Sequence, residues 1–500
     1  MRIGPAVILL GVLVFSASAQ TVEQRVRELA LANFDTAVQF EKEKRYDDAL
    51  KYYERLIESG ADEEVILRSR IHAGNLHLSV KRDVRKAKEY FEAVANKINY
   101  PEIAAEALLG NGRAILSTAR TKKELEEALG EFEGVVRIYP RSGAALDGLM
   151  AAAQVLEFFK GFKQASDYYI RVIYDRPQSE QAAWALYRLG LCWFWMGDTE
   201  SALVAFQKAR NRYPKHPAAG ESLKAATVLY RLYFSQFKPR YSGQLLITEA
   251  ANLEFKNPSR MLAKETQIWI LDGRLNQFRV FSRDGKPEGT QPNSWGNFFG
   301  DPPGEAYAVS GGQILTPDKT PIRPFVQKDP LKREPFQNLV AFAITPFREM
   351  FVADEERDGL FKLDEKTYEA HPFGGISGKA TRIEVDGLGN LYVLHGDGQS
   401  VTVMDHEGKR LAAFGRESGI ERIQDFTLDG LGNAYVLDKE GTTFIYSSLM
   451  SAGPDAKPKQ LDRLPIPQSE KKKFRNPALI AVSQEGVVYV SGEREVATFR

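Results

Sequence analysis

Asp272, Asp354, His395 and Asp438 recur along the C-terminal half of the chain at spacings of 82, 41 and 43 residues, each just past a short apolar run. Three carboxylates and an imidazole brought to one place could hold a hard or borderline divalent cation. Aspartate after a strand is also the residue a turn selects for its own backbone, so each side chain has a purely local use. A second row holds Arg260 and Arg382 in register with Asp425, two cations and one anion that form either an ion pair or a site for an acidic ligand. The six histidines, His72, His77, His216, His371, His395 and His406, show neither metal-ligand spacing nor a His-Glu-x-x-His pattern. "GLGN" occurs only in repeated turns and does not open a phosphate loop. The expectation is therefore no catalytic residue, no metal and no cofactor.

These residues must be positioned by a repeated element. "VDGLGNLYVLHGDG" begins at Val385, and "LDGLGNAYVLDKEG" begins 43 residues later at Leu428. Asp-Gly and Gly-Asn signal a tight turn, and the apolar runs beside them have strand composition, so each phrase is a strand, a turn and a strand. "QIWIL", "MFVAD", "LYVLH", "AYVLD" and "VVYVSG" mark the second strand of successive units. The first spacing is two units long, which places a poorly matching unit at Gly304 to Phe325. The total is six. The Pro-x-x-apolar openings "NPSRMLA" and "NPALIAV", the Asp-Gly-x-Gly-Asn turn and the "YV" strand resemble NHL-type six-bladed β-propellers. That resemblance implies a ring of four-stranded blades around a channel, with both rows at the channel face. It also implies an alternative function, because such propellers include metal-dependent lyases and related ones include lactone hydrolases. The chain ends on a third strand, "EVATFR", while "GQLLITEA" (Gly243 to Ala250) is a strand without a blade, so the first strand is expected to complete the last blade.

Upstream the period changes. From Val22 to Gln236 apolar residues recur at helical spacing, with Gly and Pro at the joints. In "WALYRLGLCWFWMGDTESALVAFQKARNRYP" (Trp184 to Pro214), Leu189, Gly190, Trp193, Ala202, Phe206, Ala209 and Pro214 fall at the positions of the tetratricopeptide (TPR) repeat, which this segment resembles. The skeleton recurs at Ala165, Tyr169, Val172 and Pro177, at Ala128, Phe132, Val135 and Pro140, at Ala49 and Tyr53, and at Ala87 and Phe91. Five repeats and a capping helix over Pro217 to Phe234 follow. The resemblance implies a groove that binds a peptide or helix. Its lining would be Trp184, Tyr187, Leu191, Phe194 and Trp195, with Phe34, Met150 and Phe158 earlier. These aromatics either meet a partner or pack against the capping helix or the propeller.

The chain of 500 residues carries 67 basic and 66 acidic side chains, which gives no electrostatic reason to expect nucleic acid. Arg2, the apolar stretch Ala6 to Phe15 and Ala17-Ser18-Ala19 have the pattern of a cleaved secretory leader. No other run approaches the length of a transmembrane helix. Cys192 is the single cysteine, flanked by Leu191 and Trp193, and is expected to be a small core residue. The lysine run Glu470 to Arg475 is expected to be a solvated loop.

The expected organisation is α plus β multidomain: a leader over 1–19, an N-terminal α-solenoid of TPR hairpins over 20–236 and a C-terminal six-bladed β-propeller over 237–500. The expected function is an exported, periplasmic or extracellular, non-catalytic scaffold or adaptor for protein partners of the cell envelope. The alternative is a propeller hydrolase or lyase with a site at the channel.

Overall fold

The computed structural model describes residues 6–500 apart from 61, 120, 237–238, 248–254, 256, 293–296, 300–306, 317–319, 330–331, 365, 454–455, 467–473 and 475, with side chains from residue 24 onward except 297–299. The leader side chains, most of the lysine run, the end of the strand Gly243 to Ala250 and part of Gly304 to Phe325 lie outside the described residues.

A helical, TPR-like region is followed by a six-bladed propeller. By compactness the chain divides into Met1–Leu156 with Asp167–Pro177, and Glu157–Ser166 with Gln178–Arg500. The period of the sequence changes later, after Phe234, so helices fall in both units.

The first unit holds helices α1 (Ala6–Lys42), α2 (Tyr46–Glu58), α3 (Glu63–Leu76), α4 (Val84–Ala95), α5 (Pro101–Thr118) and α6 (Lys122–Ile138), and most of α7 (Ala144–Phe158) and α8 (Phe162–Asp175). Asp62, Asp83 and Thr121 start helices by accepting the backbone N–H three residues on, and Glu124 returns the bond to complete a capping box. Phe91 of α4 is fully buried among Leu67, Ile71, Ile103 and Ala107. A Cβ at Gly110 would lie 2.6 Å from the Phe91 ring, so the small residue is what lets α4 and α5 meet.

The second unit adds α9 (Glu180–Trp195), α10 (Thr199–Arg212), α11 (Pro217–Leu229) and a π-helical turn at Tyr230–Phe234. Six four-stranded sheets follow. Blade 1 spans 258–292 (β2 to β5), blade 2 spans 297–322 (β6 to β9), blade 3 spans 339–373 (β12 to β15), blade 4 spans 380–415 (β16 to β19) and blade 5 spans 423–464 (β20 to β23). Blade 6 contains β24 (Leu479–Val482), β25 (Val488–Ser491) and β26 (Val496–Phe499), and its outer strand is β1 (Gly243–Ile247). A two-stranded ribbon, β10 (Phe325–Asp329) with β11 (Lys332–Pro335), lies between blades 2 and 3 in sequence and has no counterpart in the repeat pattern.

The apolar cores explain why the ring must close. Tyr392, Val401 and Phe414 of blade 4 pack with Phe426, Val436 and Phe444 of blade 5. Corresponding cores are shared by blades 2 and 3, by 3 and 4, and by 6 and 1. A blade therefore buries its faces only against its neighbours.

The helices of this unit seat on one face of the ring, at the turns that join first to second and third to fourth strands. Phe158 packs on Phe347 at 3.7 Å between ring centroids and on His406 at 4.8 Å. Tyr233 donates its hydroxyl hydrogen to Asn433 Oδ1 at 2.7 Å, and Arg231 donates to the Gly486 carbonyl at 2.9 Å. Lys160 donates to the Ala452 carbonyl at 3.0 Å, and Lys224 to Glu265 and Gln484, each at 2.6 Å. These contacts reach blades 1, 3, 4, 5 and 6.

A chain beginning at Gln178 should therefore melt in one cooperative transition, and a chain beginning at Lys238 should melt roughly 5 °C or more lower, because the turn face loses its cover. Scanning calorimetry of the two decides it, and equal melting temperatures would show that the helices contribute nothing to the ring.

Candidate functional site

The acidic row shares one register. Asp272 lies opposite Pro258, Asp354 opposite Leu339, His395 opposite Ala380 and Asp438 opposite Ile423. In blade 6 the register position is Ser491, opposite Leu479. Each side chain is engaged by its own loop or hairpin. Asp272 Oδ1 accepts the N–H groups of Arg274 and Leu275 at 2.9 and 3.0 Å. Asp354 accepts from Glu356 and Asn338, both at 3.0 Å, and Asp438 from Glu440 and Thr442 at 2.9 and 2.7 Å. His395 Nε2 bonds Thr402 Oγ1 at 2.9 Å on the adjoining strand. The geometry is that of Asx turns, in which a short carboxylate satisfies backbone donors that the turn leaves open.

The second row is a network across the inner strands. In blades 1, 3, 4 and 5 the register slips by one residue near the start of the inner strand, just before Arg260, Ala341, Arg382 and Asp425, which makes these four equivalent. A bulge of this kind re-aims side chains. Arg382 donates to Asp425 Oδ1 at 2.5 Å and to Glu384 Oε1 at 2.6 Å. Asp425 Oδ2 also accepts the Ile480 N–H at 2.9 Å, and Glu384 Oε2 accepts the Leu428 N–H at 3.1 Å. Blades 4, 5 and 6 are thereby tied through charge. Burial pushes the Asp425 carboxyl up to about 6, with Arg382 and the Ile480 N–H pulling it back. Burial also opposes the charge on Arg382, yet Asp425 and Glu384 hold its guanidinium above the ordinary value. Arg260 is lowered to about 9 by burial and by Arg382, against the attraction of Glu384 and Asp425. Sequence reasoning missed Glu384. The available signal was its place two residues after Arg382, on the same face of a strand.

The repeated turn has its own internal logic. Asp429 Oδ1 accepts from the N–H groups of Leu431 and Asn433, both at 2.9 Å, while Oδ2 accepts from Asn433 Nδ2 at 2.8 Å and from the Tyr435 hydroxyl at 3.1 Å. Asp386 repeats the arrangement with Leu388, Asn390 and Tyr392. Gly432 sits at φ +80°, and a Cβ there would lie 2.5 Å from Met450 Sδ. Burial raises both carboxyls, that of Asp386 to about 6, against the hydrogen bonds that hold the charge. Asn433 is also the residue that receives Tyr233, so the turn is both a local device and a docking point.

The five aromatic-rich positions of α9 separate into two groups. Leu191, Phe194 and Trp195 are 4%, 6% and 7% exposed. Phe194 meets Tyr233 edge-on at 5.3 Å, and Trp195 meets Phe162 at 5.3 Å. Their partners belong to the chain itself. Trp184 and Tyr187 are half-buried; Trp184 lies edge-on to His216 at 5.6 Å and Tyr187 against Phe206 at 5.9 Å. Phe158 is buried, while Phe34 and Met150 are half-buried. Cys192 is buried, and burial beside Glu157 raises its thiol far from the reactive range.

A tetratricopeptide-repeat family model matches residues 184–216. No curated protein matches the chain. Among solved structures, a catalytically inactive virginiamycin B lyase from Staphylococcus aureus with quinupristin is similar at 10% identity and a TM-score of 0.34, over 52% of this chain and 99% of that one. A thermophilic TPR protein of Thermus thermophilus is similar at 18% identity and a TM-score of 0.31, over 41% of this chain and 98% of that one. The TPR protein YrrB, described as having an unusual peptide-binding site, shows 18% identity and a TM-score of 0.27, over 39% of this chain and 92% of that one.

The two kinds of aspartate should behave differently on mutation. Asp429→Ala leaves buried N–H groups and the Tyr435 hydroxyl without an acceptor and should cost about 3 kcal/mol, whereas Asp438→Asn keeps a side-chain oxygen in a half-exposed turn and should cost less than about 1 kcal/mol. Urea denaturation measures both, and equal costs would contradict the account.

Proposed function

We propose that this chain is an exported, non-catalytic scaffold that holds protein partners in the periplasm or outside the cell. The observation that carries the reading is the use already made of the chemistry-bearing side chains. The carboxylates of the acidic row accept hydrogen bonds within their own hairpins, and Arg382 is committed to Asp425 and Glu384. A TPR array and a propeller each offer extended surfaces suited to partners, although a fold by itself does not fix function. The half-buried pair Trp184 and Tyr187 is the favoured contact on the helices, and the propeller face away from the seated helices is the second surface. The boundaries proposed for the working parts are a leader over 1–19, helices over 20–236 and a propeller over 237–500. Export rests on the leader pattern. Among the described residues no helix is long and apolar enough to cross a membrane.

The second reading, a propeller hydrolase or lyase, is favoured by the charges of Arg260, Arg382, Glu384 and Asp425 gathered on the inner strands of blades 1, 4 and 5. A tightly held divalent ion in the purified chain, lost in both Asp354→Asn and Asp438→Asn, would replace the scaffold with this reading.

The double variant Trp184→Ala with Tyr187→Ala should keep its helical circular dichroism and lose the partner that the intact chain retains from an envelope extract. Truncating interface anchors of this type costs about 2 kcal/mol or more of binding. Trp195→Ala, by contrast, should lower folding stability by about 3 kcal/mol through loss of core volume. Retention of the partner by the double variant would refute the assignment of this surface.

A further inference from the structure

The first unit contains a pocket that the repeat pattern does not call for. It has a volume of about 490 Å³, of the size that holds specific ligands, and lies between the α6–α7 corner and the last turn of α8. Among the lining residues Ala145 and Leu149 are buried, and the buried Ser142 donates its hydroxyl hydrogen to the Tyr139 carbonyl at 2.8 Å. Three arginines line it, Arg141, Arg171 and Arg176, against the single acidic residue Asp175. Asp175 lies 3.4 Å from Arg171 Nε. Among the described residues Arg141 and Arg176 have no ion-pair partner. Two acids of the adjoining helices are engaged elsewhere, Asp147 of α7 by Arg113 at 3.2 Å and Glu102 of α5 by the Gly143 N–H at 3.1 Å.

Beside these cations in the chain are large apolar side chains in water. Tyr174 is 85% exposed, Ile138 54% and Ile170 45%. Ile170 and Tyr174 are four residues apart and so share one face of α8. An inorganic anion would use the guanidinium groups and leave these side chains wet.

We infer that this pocket binds an acidic segment of a protein partner, a run of Asp or Glu side chains that carries an apolar or aromatic residue. Guanidinium is the group suited to paired, planar recognition of carboxylates, and it stays charged at any pH the chain meets. The chain's net charge of +1 supplies no general attraction, so recognition depends on the local excess at the rim. The inference rests on reading the chain as an interaction scaffold and gives one partner its chemistry.

The test is fluorescence anisotropy of a labelled glutamate-rich peptide carrying one aromatic side chain, titrated with the full chain. Saturable binding that weakens as salt rises is expected, and Arg141→Gln with Arg176→Gln should weaken it about tenfold or more. Asp175→Asn removes the competing carboxylate and should tighten binding, which keeps the test decisive even where the arginine variant fails to fold. Absence of binding, unchanged affinity in either variant, or equal competition by inorganic phosphate overturns the inference. So does capture by vesicles of anionic lipid without binding of the peptide. The envelope experiment on Trp184 and Tyr187 uses a different surface, so failure here condemns the pocket alone and failure there condemns that surface alone.

Discussion

The seam between β1 and β26 is the constraint on which the rest of the molecule depends. Gly243, Gln244, Leu245 and Ile247 register against Phe499, Thr498, Ala497 and Val496, and the exchange of bonds between Ser242 and Arg500 extends the pairing. Without it blade 6 would present an unpaired edge and the core it shares with blade 1 would open. Because the closing strand comes from upstream of the propeller, the last helical turn (Tyr230–Phe234) and the seam are neighbours in sequence. Burial of Tyr241, with the Arg231 guanidinium 4.8 Å above its ring, fixes the entry to β1 against the helical turn. The seating of α9 to α11 on the turn face is then a consequence of connectivity as much as of contact chemistry.

The Asp-Gly-Leu-Gly-Asn turn links the two. Its aspartate gathers backbone N–H groups and a tyrosine hydroxyl into a buried polar knot, and such a knot is stable only when every member is satisfied. In blade 5 the asparagine that completes the knot still has its carbonyl oxygen directed outward, where Tyr233 and the Ser448 N–H meet it. A sequence feature required by hairpin geometry thus doubles as the anchor for a helix. Arg382 and Asp425 act at the other end of the inner strands, where they fasten neighbouring blades that also share an apolar core.

Much of this was legible in the residues. The small-large exchange of Gly190 with Phe206 announces a close helix crossing, and the structure places a Cβ at Gly190 only 2.5 Å from that ring. Period-two runs ending in Asp announce strands and their turns, and the local use of Asp272, Asp354 and Asp438 was one of the two readings open to them. The aromatic residues of α9 were not separable by spacing, because a groove position and a position under a capping helix have the same period. Only the path of the chain after Leu229 decides that Phe194 meets Tyr233. Glu384 was hidden because its role depends on Arg382 reaching sideways between blades. The ribbon β10–β11 was hidden because it falls outside the repeat, as does the arginine pocket, whose members come from a loop and a helix end with no shared motif.

The central physical claim is that the helices α9 to α11 and the propeller form one cooperative body. Native-state hydrogen exchange across a denaturant series measures this directly. The account predicts that the most protected amides of α11 and of the β20–β21 hairpin (Ile423–Leu428 with Ala434–Asp438) open together, with a common free energy and a common denaturant dependence. Exchange of α11 through a separate, lower-energy opening while the hairpin stays protected would contradict it.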